Sequence, residues 1–219
     1  MKTLYFISIL GGALGLTTVW AQIPSRDTAD YPPDPRVIAV EFFQHIRAGD
    51  AAGAWRCWDS DLPDPSDRKY EEMQVRNSIG IWIADFRLEQ ALEKKFPSVY
   101  EKMKESGELT PAPELVAKAK FTTFRRLAII RWSEDEDAGL PLGLDTSKTP
   151  PKWMISLSQY RETTRASVGD SFRSTDAVAR ATDHLTRDIL SGKVKTERDL
   201  EGARARYLEW ELKKAKYRK

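Results

Sequence analysis

The chain has 219 residues, 41% of them hydrophobic, with 35 Lys and Arg against 33 Asp and Glu for a formal net charge of +2. That balance excludes a disordered polyelectrolyte, and 12 Gly with 12 Pro is too few for a fibrous repeat. One cysteine, Cys57, excludes an internal disulfide framework and a zinc site built on several cysteines, and two histidines, His45 and His184, leave little for a histidine-rich one, so neither metal nor cofactor is expected.

Residues 1–21 have the layout of a secretory signal peptide. Lys2 gives a positive start, an uncharged apolar run extends from Leu4 to Leu16, and Val19 and Ala21 precede a cut ahead of Gln22. No cysteine follows the run, which excludes a bacterial lipid anchor. The competing reading is a retained anchor, because Leu4 to Ala21 is 18 residues without a charge; Gly11, Gly12 and Gly15 weaken it. The expectation is an exported protein, periplasmic or secreted.

Residues 22–35, with Pro24, Pro32, Pro33 and Pro35, read as an extended arm. Asp34-Pro35 opens a helix that runs to Ala48, with Ala39, Phe42, Phe43 and Ile46 on one face. Gly49 stops it, and Asp50 caps a short helix carrying Trp55, Cys57 and Trp58. A long helix is predicted from about Arg68 to Phe96, closed by Pro97. Its two apolar stripes, Val75-Ile79-Trp82-Ile83-Phe86 and Ile81-Leu88-Leu92, mark it as covered on more than one side. Short helices follow over 98–118, broken at Gly107 and near Pro111 and Pro113. The period then changes to strands: one within Phe121–Trp132, one over Leu140–Leu144 and one over Trp153–Leu157, with the acidic run Glu134–Asp137 as a turn. Two helices end the chain, one from Thr175 to Leu190 and one from Thr196 onward. Val178, Ala181, Leu185 and Ile189 share a face of the first; Leu200, Ala203, Tyr207 and Trp210 share a face of the second.

The stretch Phe42-Phe43-Gln44-His45-Ile46-Arg47-Ala48-Gly49-Asp50-Ala51, a helix ending in Ala-Gly-Asp with a second helix beginning at once, resembles the opening of nuclear transport factor 2-like (cone-shaped α+β) domains. The strand Lys152–Leu157 is similar to a strand of such domains, and Phe86–Phe96 resembles a helix of uncharacterised exported bacterial proteins with these features. The resemblance covers about residues 36–160. It implies a hydrophobic pocket that serves ligand or partner binding in many members and isomerase or cyclase chemistry in some. No catalytic residue of the family carries over to a position here, and fold alone does not assign function.

The chemistry candidates come from the residues themselves. Asp85 and Glu89, with Glu93, stand at i, i+4, i+8 between the stripes of the long helix. A carboxylate among Trp82, Phe86 and Leu92 would have the raised pKa of a general acid or base; the ordinary reading is a solvated strip or pairing with Arg125, Arg126 or Arg131. Trp55, Trp58, Trp82 and Phe86 are candidate ligand-binding residues, against the ordinary reading that aromatics, with Trp132 and Trp153, build the core. His45 and His184 read as boundary residues with no second His or Asp at ligand spacing. Gly169-Asp170-Ser171 reads as a turn rather than a hydrolase nucleophile block.

Charge is uneven: residues 161–219 hold 15 Lys and Arg against 10 Asp and Glu, while residues 22–160 hold 19 against 23. The basic end, Lys213, Lys214, Lys216, Arg218 and Lys219, is the expected point of any membrane contact, and it also complements a helix dipole. The sequence thus predicts a helix-rich α+β protein: signal peptide (1–21), arm (22–35), a domain over 36–160 with helices packed on an antiparallel sheet of about three strands, and a C-terminal helical pair (161–219). Its expected role is a non-catalytic exported domain binding a small apolar ligand or an envelope protein. The alternative is an isomerase- or cyclase-type enzyme using Asp85 or Glu89. No nucleic-acid partner is expected.

Overall fold

The computed structural model describes residues 34–58, 65–132, 139–147, 151–156 and 172–217. The predicted leader, arm, acidic turn and Ser171 lie outside these residues. Among the described residues are seven helices, α1 (Arg36–Ala48), α2 (Ala51–Arg56), α3 (Pro65–Lys95), α4 (Pro97–Glu105), α5 (Pro113–Ala117), α6 (Phe172–Leu190) and α7 (Glu197–Tyr217). Four strands, β1 (Lys120–Phe124), β2 (Leu127–Arg131), β3 (Gly139–Asp145) and β4 (Lys152–Ile155), lie between α5 and α6. The class is α+β. The chain divides into two compact units: Met1–Arg68 with Pro111–Ser167, and Lys69–Thr110 with Val168–Lys219. From Lys69 onward the long helix therefore groups with the C-terminal pair, whereas the sequence reading placed it in a 36–160 domain.

In the first unit, α1 starts where Asp34 Oδ1 accepts from the Arg36 N–H at 2.9 Å. Ala39, Phe42, Phe43 and Ile46 are fully buried, the face the helical period selects. Each of the two phenylalanines contributes about 1.5–3 kcal/mol by leaving water. Gly49 ends α1 at φ 71°, a left-handed turn in which glycine meets no steric cost. Asp50 then caps α2, its Oδ1 accepting from the Gly53 N–H at 2.8 Å. Because the stop and the cap are adjacent, α2 folds back at once on α1.

The sheet is an antiparallel meander in the order β1-β2-β3-β4. Its four strands correct the expected three. The single strand read within Phe121–Trp132 is a hairpin, turning at Arg125-Arg126 with Phe124 opposite Leu127. Arg125 takes φ 56°, and Phe-Arg-Arg-Leu carries none of the Gly, Asn or Asp residues that announce such a turn. Alternate residues of β2, β3 and β4 (Ala128 and Ile130, Leu140 and Leu142, Trp153 and Ile155) point into the core. The Cys57 carbonyl accepts from the Ile155 N–H at 2.8 Å, tying the end of α2 to β4.

In the second unit, α3 is buried around most of its circumference between Ile83 and Leu92, including Ala84, Phe86, Leu88 and Ala91. Two stripes wide enough to meet produce that pattern. Val99 and Met103 of α4 and Ala177, Ala181, Leu185 and Ile189 of α6 complete the core with Leu200 and Ala203 of α7. α7 begins in a reciprocal cap: the Asp199 N–H donates to Thr196 Oγ1, and the Thr196 N–H donates to Asp199 Oδ2, both at 3.1 Å. The α7 stripe departs from its expected course. Trp210 is exposed, and the buried positions toward the end of the helix are Glu211 and Ala215.

Candidate functional site

The α3 carboxylates part company. Glu93 is exposed. Glu89 is buried, and its Oε1 accepts both the N–H and the hydroxyl of Thr110 at 2.7 Å each. This clamp holds the segment after α4 against α3. Asp85 is half-buried and accepts no hydrogen bond among the described residues. Burial, followed by the charge of Glu89, pushes its carboxyl up to about 7 against the opposing pull of Arg204. Burial lowers the pKa of Arg204, opposed by Asp85 and Glu108, and Glu108 Oε2 is buried without a hydrogen-bond partner among the described residues. Desolvation with a like charge nearby is the setting of a general acid or base.

A groove of about 460 Å³ opens between α3 and α6. Arg87, Gln90, Ala91 and Lys94 line one wall at i, i+3, i+4, i+7; Asp183, Thr186, Arg187 and Leu190 line the other at the same spacing. Three cations face one carboxylate. The Arg87–Asp183 pair is loose, at 3.7 Å between exposed groups, and Arg187 leans on His184 Nδ1 at 2.6 Å. Lys94 has no polar partner among the described residues. Ala91 and Thr186 are buried, the Thr186 hydroxyl donating to the Thr182 carbonyl at 2.8 Å, and Leu190 is half-exposed. The groove therefore offers a cationic rim beside a small apolar surface.

None of the four expected ligand-binding aromatics lines this groove. Trp55 and Trp58 belong to the first unit; Trp82 and Phe86 belong to the second. Trp58 and Phe86 are buried, while Trp55 and Trp82 are half-buried. Trp58 meets Phe42 edge-on with centroids 6.2 Å apart, and Trp132 meets Phe43 at 5.4 Å. These contacts are core packing.

His184 sits in an ion network that burial patterns did not announce. Glu211 is 1% exposed, and its carboxylate takes Arg180 Nε at 2.6 Å, His184 Nε2 at 3.4 Å and Lys214 Nζ at 3.4 Å. Burial pushes the Glu211 carboxyl up, but the hydrogen bond and charge of Arg180 together with Lys214 outweigh it and hold it below the usual range. His184 also stacks on Tyr207, with centroids 5.5 Å apart, and Tyr207 donates to Asp188. Of the basic end, Lys213 pairs with Glu209 at 2.6 Å, and Lys214 lies over the Trp210 ring.

In the first unit, His45 is a boundary residue flanked by Asp50 at 2.9 Å and Glu41 at 3.8 Å. The sequence reading looked for a second His or Asp at ligand spacing; the structure instead places Glu41, at i−4, and Cys57 beside the ring. Cys57 is fully buried, donates to the Gly53 carbonyl at 3.6 Å and has its thiol pushed up to about 12, chiefly by burial.

Fold and site define a helix-rich α+β chain with a four-stranded antiparallel meander in one unit and a cation-rimmed groove in the other. Compared with protein-family models, curated proteins and solved structures, the chain matches none. No described helix is long and apolar enough to cross a membrane.

Proposed function

We propose that this chain is an exported binding protein whose second unit takes a small anionic amphiphile. The groove carries the reading: Arg87, Lys94 and Arg187 ring an apolar patch formed by Ala91 and Leu190. A carboxylate or phosphate head would pair with the cations, and a short apolar body would cover the patch. The expected small apolar ligand thereby gains a charged end. Export rests on the leader-like residues 1–21, and the likeness of residues 36–160 to nuclear transport factor 2-like domains stands with it as part of the proposal.

The test is calorimetric titration with a medium-chain alkanoate and the matching alkylammonium. The alkanoate should bind, the alkylammonium should not, and Arg87→Glu/Lys94→Glu should weaken alkanoate binding at least about tenfold. Equal binding of both probes, or an unaffected double variant, removes the reading. Native mass spectrometry of protein from its own host reports the processed mass and any retained ligand together.

A second reading is favoured by the raised Asp85 pKa. A carboxyl titrating near 7 is matched to proton transfer at neutral pH, which supports an isomerase- or cyclase-type activity. It predicts that any turnover disappears in Asp85→Asn while ligand binding in the groove is retained.

A further inference from the structure

The Gly49 turn brings three metal-type donors together. Glu41 and His45 stand at i, i+4 on α1, and Cys57 ends α2. A carboxylate oxygen, a ring nitrogen and the thiol sulfur lie within 4.8 Å of one another. Glu41 Oε1 is 3.8 Å from His45 Nε2. A tetrahedral ion with bonds of about 2.0–2.3 Å sets its donors about 3.3–3.8 Å apart, so donors up to 4.8 Å apart must close by at most about 1.5 Å.

The other face of the imidazole is also prepared. His45 Nδ1 is 2.9 Å from Asp50 Oδ2, while Asp50 Oδ1 is fixed by the Gly53 N–H at 2.8 Å. A carboxylate behind a metal-binding imidazole orients the ring and raises its basicity. The seat is shaped at Gly53. Glycine inside a helix is costly by about 1 kcal/mol, yet a Cβ here would fall 2.1 Å from His45 Nδ1 and 2.3 Å from Asp50 Oδ2. Depth is graded as well: Cys57 is fully buried, and the side chains of His45 and Glu41 are 25% and 42% exposed. An ion would reach the sulfur from solvent past the carboxylate.

We infer that Glu41, His45 and Cys57 bind one divalent cation of the zinc class, with Asp50 positioning His45 and a water completing the tetrahedron. The site lies in the first unit and rests on nothing in the groove reading. Thiolate with imidazole and carboxylate selects zinc or cobalt over magnesium or calcium. On binding, the Cys57 S–H bond breaks, its proton passes to solvent, and the sulfur keeps the electron pair it shares with the cation. The ordinary account is a buried thiol donating to the Gly53 carbonyl beside a surface Glu–His–Asp chain.

Cobalt(II) titration of the chelator-stripped full chain separates the two. One cobalt per chain should bind, with a thiolate-to-cobalt charge-transfer band and the intense visible bands of a tetrahedral ion, and zinc should displace it. Cys57→Ser should abolish the charge-transfer band. Since Cys57 is core, two variants at exposed side chains carry the test independently of folding. Glu41→Gln should weaken binding at least about tenfold and Asp50→Asn about 10–100-fold, both retaining the charge-transfer band. The inference is overturned if cobalt does not bind, if it binds without that band, or if its affinity is unchanged in both surface variants.

Discussion

Replacing Asp85 by Asn should convert a pH-dependent stability into a flat one. In the folded chain, burial and Glu89 push this carboxyl up to about 7 from 3.8 despite Arg204. Below about pH 4 the group is protonated in both the folded and unfolded states. Between about pH 4 and 7 only the folded chain keeps the proton, so each unit of rising pH weakens the fold by about 1.4 kcal/mol. Above about pH 7 both states are ionised and the loss is complete, reaching about 4 kcal/mol. Asn carries no such charge. The stability of Asp85→Asn relative to the parent should therefore swing in the variant's favour by about 4 kcal/mol between about pH 4 and pH 8, an upper limit because water reaches a half-buried side chain. Urea unfolding of both proteins across that range measures the swing, and the fixed cost of exchanging an oxygen for an amide cancels. A difference that stays level to within about 1 kcal/mol would show a solvated or Arg204-paired carboxylate and refute the reasoning.

Other outcomes follow from the same geometry. Glu211→Ala should destabilise the second unit by about 2–3 kcal/mol in thermal unfolding, less than for a fully buried pair because Arg180 keeps Asp176. The Glu211 carboxyl is held below its usual range, so its contribution is present above about pH 4.5 and fades as pH falls. Glu211→Gln should accordingly be less acid-sensitive than the parent, the opposite sense to Asp85. Thr110→Val removes the hydroxyl that Glu89 accepts while keeping the backbone N–H, and should cost about 1–3 kcal/mol by denaturant unfolding and speed hydrogen exchange over the segment after α4. Gly53→Ala should destabilise the first unit despite the better helix propensity of alanine. Adding His45→Ala should recover part of the loss, since that ring and the Asp50 carboxylate are what the Cβ meets; no recovery would place the strain at Asp50.

Local rules carried the elements far. Gly49 followed by Asp50 specifies a left-handed stop and a cap, and the structure has both. The 3.6-residue period picked out Phe42, Phe43 and Ile46, and the two stripes of α3 marked a helix buried around its circumference. It failed where no local residue type reports the outcome. The Arg125-Arg126 turn lacks turn residues, so a hairpin passed for one strand. On α7 an apolar stripe extrapolates to Trp210, but the chain buries Glu211, because Arg180 and Lys214 offset its desolvation. The groove was not read from the sequence: Arg87, Gln90, Ala91 and Lys94 share one helix face by arithmetic, but the period does not say what packs opposite them.

By itself, the sequence determined the α+β class and the succession of helices, sheet and C-terminal helix pair, because these depend on residues a few positions apart. Only the tertiary structure decided which chemistry-bearing residues meet. It set Arg187 across from Lys94, brought Arg204 to Asp85 and folded Cys57 back beside Glu41 and His45. Side-chain period names the face a residue shares; which face packs opposite, and how much water remains between them, follows from the burial of the whole chain.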